Sequence, residues 1–174
     1  MINSKQYKAI RHEIQTGDLL VWSIDDNSFL SSVFTRFVRL LTLSEYSHTA
    51  IALVDQGRVY AVEATIPEIK LTPLSECKDF YHIPMGITTT PEQHNVLKQY
   101  IETTYLGCSY SLLDCLRGYL GKTDIRNDSW QCAELCNDFY KYMGIDLGNN
   151  YTPSRLVNAV IKQRGASICY IEQG

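Results

Sequence analysis

The sequence predicts an α+β domain: an antiparallel sheet with helices packed on it. Three observations lead there. Residues 46–65 read as two runs rich in branched residues around a short turn, the pattern of a hairpin. Apolar residues recur at helical spacing in three later stretches, each opened by a capping residue and closed by a glycine. The order of elements is helix, strand, helix, hairpin, strand, helices, strand, which is the α+β pattern.

The chain has 174 residues, enough for one domain with a single core. Its net charge of −3 argues against a broad phosphate-binding surface, so nucleic acid is not an expected partner. Six cysteines without a CxxC pair, in a core-rich chain, suit reduced thiols. Residues 1–15 are polar and lack the apolar region of a signal peptide, and no apolar run reaches the length of a membrane span. The default expectation is a cytoplasmic protein.

Residues 1–15 read as a loose helix with Ile10 and Ile14 four apart. Thr16-Gly17-Asp18 then turns into a short buried strand, Leu19-Leu20-Val21-Trp22, and Asp18 reads as a turn residue bonding its own backbone. Asp26-Asn27-Ser28 can cap a helix over 29–43, in which Phe29, Val33, Phe37 and Leu40 form a core stripe. Only Arg36 and Arg39 lie on its other face, so contact with a membrane surface is the minor alternative.

The hairpin follows, with Asp55-Gln56-Gly57 as turn chemistry. Residues 66–77, broken by Pro67 and Pro73, read as irregular, one wall of a cleft. Residues 80–85 read as a third strand carrying a structural His82, while His12 and His94 sit in polar surroundings. Thr90-Pro91-Glu92-Gln93 opens a helix with Val96, Leu97, Tyr100 and Ile101 on its apolar stripe, ended by Gly107. Residues 110–120 read as a short helix or turn, and 121–127 as a loop. Thr152-Pro153 opens a last helix stopped at Gly165, and residues 167–171 form a closing strand.

Chemistry is suggested by Ser129-Trp130-Gln131-Cys132-Ala133-Glu134-Leu135. With Asp128 or Ser129 as N-cap, Cys132 lies about three residues inside a helix start, where unpaired N–H groups and the helix dipole favour thiolate. A thiolate is a nucleophile; the bland alternative is a small buried hydrophobe. His48 and Glu63 add weight. If the hairpin loop holds two or four residues, even positions of its first strand share a face with odd positions of its second. His48 and Glu63 then lie together, and a carboxylate beside an imidazole fixes its tautomer and stabilises its charge. A three-residue loop would separate them. A metal site from Cys132, Cys136 and His48 lacks a fourth ligand at any regular spacing, so neither metal nor cofactor is expected. Gly107-Cys108-Ser109-Tyr110-Ser111 misses the last glycine of a nucleophile elbow, which makes a serine hydrolase a poor reading.

Gly17-Asp18-Leu19-Leu20, Ser47-His48-Thr49, Val62-Glu63-Ala64-Thr65 and Cys132-Ala133-Glu134-Leu135 together resemble the circularly permuted NlpC-type papain-like thiol hydrolases. The nearest kin by these motifs are YiiX/YaeF-like proteins, with lecithin–retinol acyltransferases as more distant relatives. The resemblance spans roughly residues 15–165. It implies a permuted papain-like fold, Cys132 as nucleophile, His48 as base and Glu63 as the residue orienting it. It also implies a tyrosine near the nucleophile, for which Tyr110 and Tyr46 both stand as oxyanion or substrate-binding candidates. The implied reaction is cleavage of an amide or ester bond in cell-wall peptides or amide-linked lipids. Acyl transfer to another acceptor shares the same first half, and a non-catalytic binding or structural module on the same fold is the third reading.

Overall fold

The structure, a computed structural model, describes residues 5–23, 45–110 and 129–173. The helix expected over 29–43, the loop expected over 121–127 and all but Tyr110 of the short helix or turn expected over 110–120 lie outside the described residues. Six strands form one sheet: β1 (Leu19–Ser23), β2 (Tyr46–Asp55), β3 (Arg58–Ala64), β4 (Ile69–Pro73), β5 (Phe80–Ile83) and β8 (Cys169–Ile171). Their order is β4-β3-β2-β1-β5-β8, and every neighbouring pair is antiparallel. Among the described residues, four helices accompany them: α1 (Lys5–Ile10), α2 (Pro91–Thr104), α3 (Cys132–Tyr142) and α4 (Pro153–Arg164). Two short strands, β6 (Ser109–Tyr110) and β7 (Ser129–Trp130), pair in parallel beside the sheet. This is the α+β architecture with an antiparallel sheet that the sequence predicts.

The sheet is buried on both faces, which explains why its central strands carry few polar residues. On one face Leu19, Val21, Ile51, Leu53 and Val62 meet α3 and α4 through Leu135, Phe139, Leu156 and Val157. On the other, Leu20, Trp22, Ala50, Ala52 and Ala61 meet Tyr7 of α1, Ile14 and Phe80. The helix starts at Thr90 and Thr152 fall where their caps predict, and Thr90 with Gln93 closes a capping box. Gly165 ends α4 in the left-handed conformation that favours glycine.

Three expectations are corrected. Residues 69–73, read as irregular, form β4: β3 offers an open edge, and Pro73 is tolerated at the end of an edge strand. The helix carrying Cys132 starts later than its polar residues suggest. Ser129 is drawn into the β6–β7 pair, and Gln131 becomes the N-cap, so Cys132 is the first helical residue. Asp18 does more than close its own turn. It accepts from Gln15 N–H (2.9 Å) and Met85 N–H (2.9 Å), and its Oδ2 lies 2.8 Å from Nε2 of buried His82, fastening β1 to β5.

Candidate active site

The hairpin connection holds two residues, Gln56 and Gly57, both at positive φ, with Asp55 opposite Arg58. That register puts His48 and Glu63 on one face of the sheet, two residues out of direct opposition. Their side chains meet, His48 Nε2 lying 3.1 Å from Glu63 Oε2, with the imidazole 15% and the carboxylate 4% exposed. The Trp22 ring packs beside the imidazole at 5.3 Å. The second carboxylate oxygen, Oε1, accepts a hydrogen bond from the Thr72 hydroxyl on β4.

The thiol arrives through a gap between strands. The β2–β3 ladder stops at Ile51–Val62, while β1–β2 continues to Tyr46 and β3–β4 to Ala64. Backbone polar groups alternate sides along a strand. Ala52 bonds Gly17 and Asp18 on the β1 side, so the N–H of Thr49 points to the β3 side, into the opening. There the Thr49 N–H and the His48 ring lie near enough to the Cys132 thiol to favour its thiolate form. With His48 Nε2 held by Glu63, Nδ1 is the nitrogen left for sulfur. The Thr49 hydroxyl, fully buried and without a hydrogen-bond partner among the described residues, lies near the thiols of both Cys132 and Cys136.

Cys132 is buried at the first position of α3. Leu135 N–H bonds back to the Gln131 carbonyl, and the N–H groups of Cys132 and Ala133, at the first two positions, have no partner within the helix. They and the positive end of the helix favour an anion at Sγ. Gln131 fixes this end, its side-chain amide donating to the Tyr151 carbonyl at 2.5 Å.

The protonation states follow from these contacts. Burial disfavours charge on all three groups, and mutual contact outweighs it. His48 is pushed up to about 10, its burial overcome by hydrogen bonds to Cys132 and Glu63 and by their charges. Glu63 is lowered, its burial overcome by His48 first and then by Thr72 and Lys70. Cys132 is lowered, its burial overcome by the hydrogen bond and charge of His48 and by Thr49. Cys136, one turn deeper, is raised by burial. Two thiols four residues apart thus differ in sign because only one reaches the imidazole.

Of the sequence candidates, the structure brings Cys132, His48 and Glu63 together. Tyr46 begins β2 two residues before His48 and packs edge-on against Tyr81 at 5.7 Å. Tyr110 pairs with Trp130, two residues before Cys132, and its N–H donates to the Pro67 carbonyl at 3.0 Å. Thr72 was hidden from sequence reasoning by the prolines around it. The signal that could have found it is its parity with Glu63 across the β3–β4 register, in which Glu63 faces Lys70.

Sheet order and helix placement are those of an α+β protein of YiiX-like fold. In particular, the chain is similar to the structure of metalloprotein YiiX from Escherichia coli O157:H7, a DUF1105 protein. The two are 23% identical, the match covers 78% of this chain and 69% of that one, and the TM-score is 0.58. At that identity the likeness is one of fold. No family model matches the chain, and no curated protein matches it. Among the described residues, no helix is long and apolar enough to cross a membrane.

Proposed function

We propose that this chain is a cysteine hydrolase of the permuted papain-like, NlpC-type kind, cleaving an amide or ester bond through an acyl-enzyme on Cys132. The observation that carries the reading is His48 held between two partners of opposite roles, Glu63 on Nε2 and the Cys132 thiol beyond. The paired shifts support a resting thiolate–imidazolium pair: Cys132 lowered and His48 raised.

The thiolate attacks the carbonyl carbon, and the tetrahedral oxyanion lies against the Cys132 N–H at the start of α3. Tyr110 or Tyr46 would supply a second donor. The imidazolium returns its proton to the leaving amine or alkoxide as the bond breaks. Neutral His48 then takes a proton from water, which attacks the thioester and restores the thiolate. Glu63 keeps the ring oriented and its charge compensated throughout. Substrates of the class implied by the sequence resemblance, cell-wall peptides or amide-linked lipids, fit this chemistry.

The similar YiiX structure is that of a metalloprotein. Among the described residues of this chain, no group of three or more His, Cys, Asp or Glu side chains is placed to hold a metal ion. Each step above runs through side chains and backbone. The reading is tested by incubating wild type and Cys132→Ala with peptide amides and acyl amides and following product and acyl-enzyme by mass spectrometry. Acylation at Cys132, lost in the variant, supports it. Equal turnover by both proteins overturns it.

A further inference from the structure

Glu63 is buried, and a buried carboxylate needs partners for both of its oxygens. His48 occupies Oε2, and the Thr72 hydroxyl donates to Oε1. The two partners come from opposite sides, His48 from β2 and Thr72 from β4, so the carboxylate is clamped across three adjacent strands. We propose that Thr72 is a positioning residue of this site: its hydroxyl keeps the Glu63 carboxylate ionised and its other oxygen aimed at His48.

Charged and titratable groups face Glu63 from every element packed around it. From β2 comes His48, whose Nε2 already takes Oε2. From α3 comes Cys132, which reaches the imidazole rather than the carboxylate. From β4 comes Lys70, directly across the ladder, whose positive charge also favours the ionised form. From the segment after β4 comes the half-buried thiol of Cys77, pushed up to about 12 by desolvation and then by the Glu63 charge, so it stays a neutral thiol. Thr72 donates a hydrogen bond to Oε1 from a group that carries no charge. A hydroxyl can donate at every pH, so the Thr72 arm of the clamp does not itself titrate.

The consequence reaches the imidazole through the carboxylate. Without the hydroxyl, Oε1 loses its donor, Glu63 holds its charge less firmly, and the carboxylate is free to turn about its last torsion. The imidazolium of His48 then loses part of its partner, and its proton affinity falls. A hydrogen bond to a charged group, felt through one intermediary, corresponds to about tenfold in proton affinity, or about one pH unit.

The inference rests on the proposed Cys132–His48–Glu63 site, and its test reads His48 directly. The titration of the His48 ring is followed by nitrogen-15 NMR in the full chain, for wild type, Thr72→Val, Thr72→Ser and Thr72→Ala. Val keeps the shape and removes the hydroxyl, Ser keeps the hydroxyl, and Ala guards against a crowding effect of Val. The expected result is a fall of about one unit in the His48 midpoint for Val and Ala, with Ser close to wild type. An unchanged midpoint in Val and Ala overturns the role. So does an equal fall in all three, which would trace the effect to the backbone. The titration remains readable with no substrate in hand, so a failure to find turnover bears on the proposed hydrolase and not on Thr72.

Discussion

Replacing Glu63 by Gln removes one charge from the site while leaving its shape. The amide fits the same clamp: its oxygen can accept from His48 Nε2, and its NH2 can donate to the Thr72 hydroxyl, which accepts as readily as it donates. What is lost is a charge-assisted bond between groups only 15% and 4% exposed, where solvent screens little. Such a bond is worth about 1.5–3 kcal/mol, which is about one to two pH units on the imidazolium. His48, raised to about 10 in the wild type, should therefore titrate about one to two units lower, and turnover should fall about 10- to 100-fold. The stability profile should change with it. A raised histidine contributes stability that is fully present below 6.5 and lost as pH rises towards about 10. A lowered carboxylate contributes stability present above 4.5 and lost as pH falls through its folded value. Glu63→Gln should flatten both limbs. Ring NMR, melting temperature against pH and the rate of thioester formation check these points. A variant with the wild-type His48 titration and wild-type turnover would refute the reasoning.

The remaining predictions follow from the same geometry. His48→Ala should abolish turnover and slow alkylation of Cys132 at neutral pH about tenfold or more, since the thiolate loses its counter-ion; peptide mapping after brief iodoacetamide treatment reads this. His82→Ala should leave that alkylation rate unchanged, because His82 bonds Asp18 and not the thiol. Asp18→Ala should lower stability by about 2–5 kcal/mol in urea unfolding, by orphaning Gln15 N–H, Met85 N–H and His82 together. Gly17→Ala should cost about 1–3 kcal/mol, because φ is +96° and the new Cβ would sit 2.8 Å from Ile87 Cδ1; the same unfolding assay measures it.

The pairing of His48 with Glu63 was legible in the sequence because a strand has period two and the turn is short. Once Gln56-Gly57 is the whole loop, parity brings the two side chains to one face. The split between β2 and β3 was not legible, since no local preference announces where a ladder stops. It is nonetheless what lets a thiol from the helix layer reach a histidine that shares its face with Trp22. The helix start was misplaced by local chemistry: Ser129 caps well in isolation, and only its pairing with Ser109 removes it from that duty. Thr72 was concealed for a similar reason. Pro67 and Pro73 argue for irregular chain, and the open edge of β3 overrides them.

The central claim is that His48 and the start of α3 make Cys132 a thiolate where an ordinary thiol is protonated. Limiting iodoacetamide at pH 6, followed by peptide mapping, sets Cys132 against the exposed Cys169 in one tube. An ordinary thiol is less than about 1% thiolate there. The account predicts that Cys132 takes most of the label despite its burial, and that its advantage narrows as pH rises towards 9. Labelling of Cys169 ahead of Cys132 at every pH would contradict it.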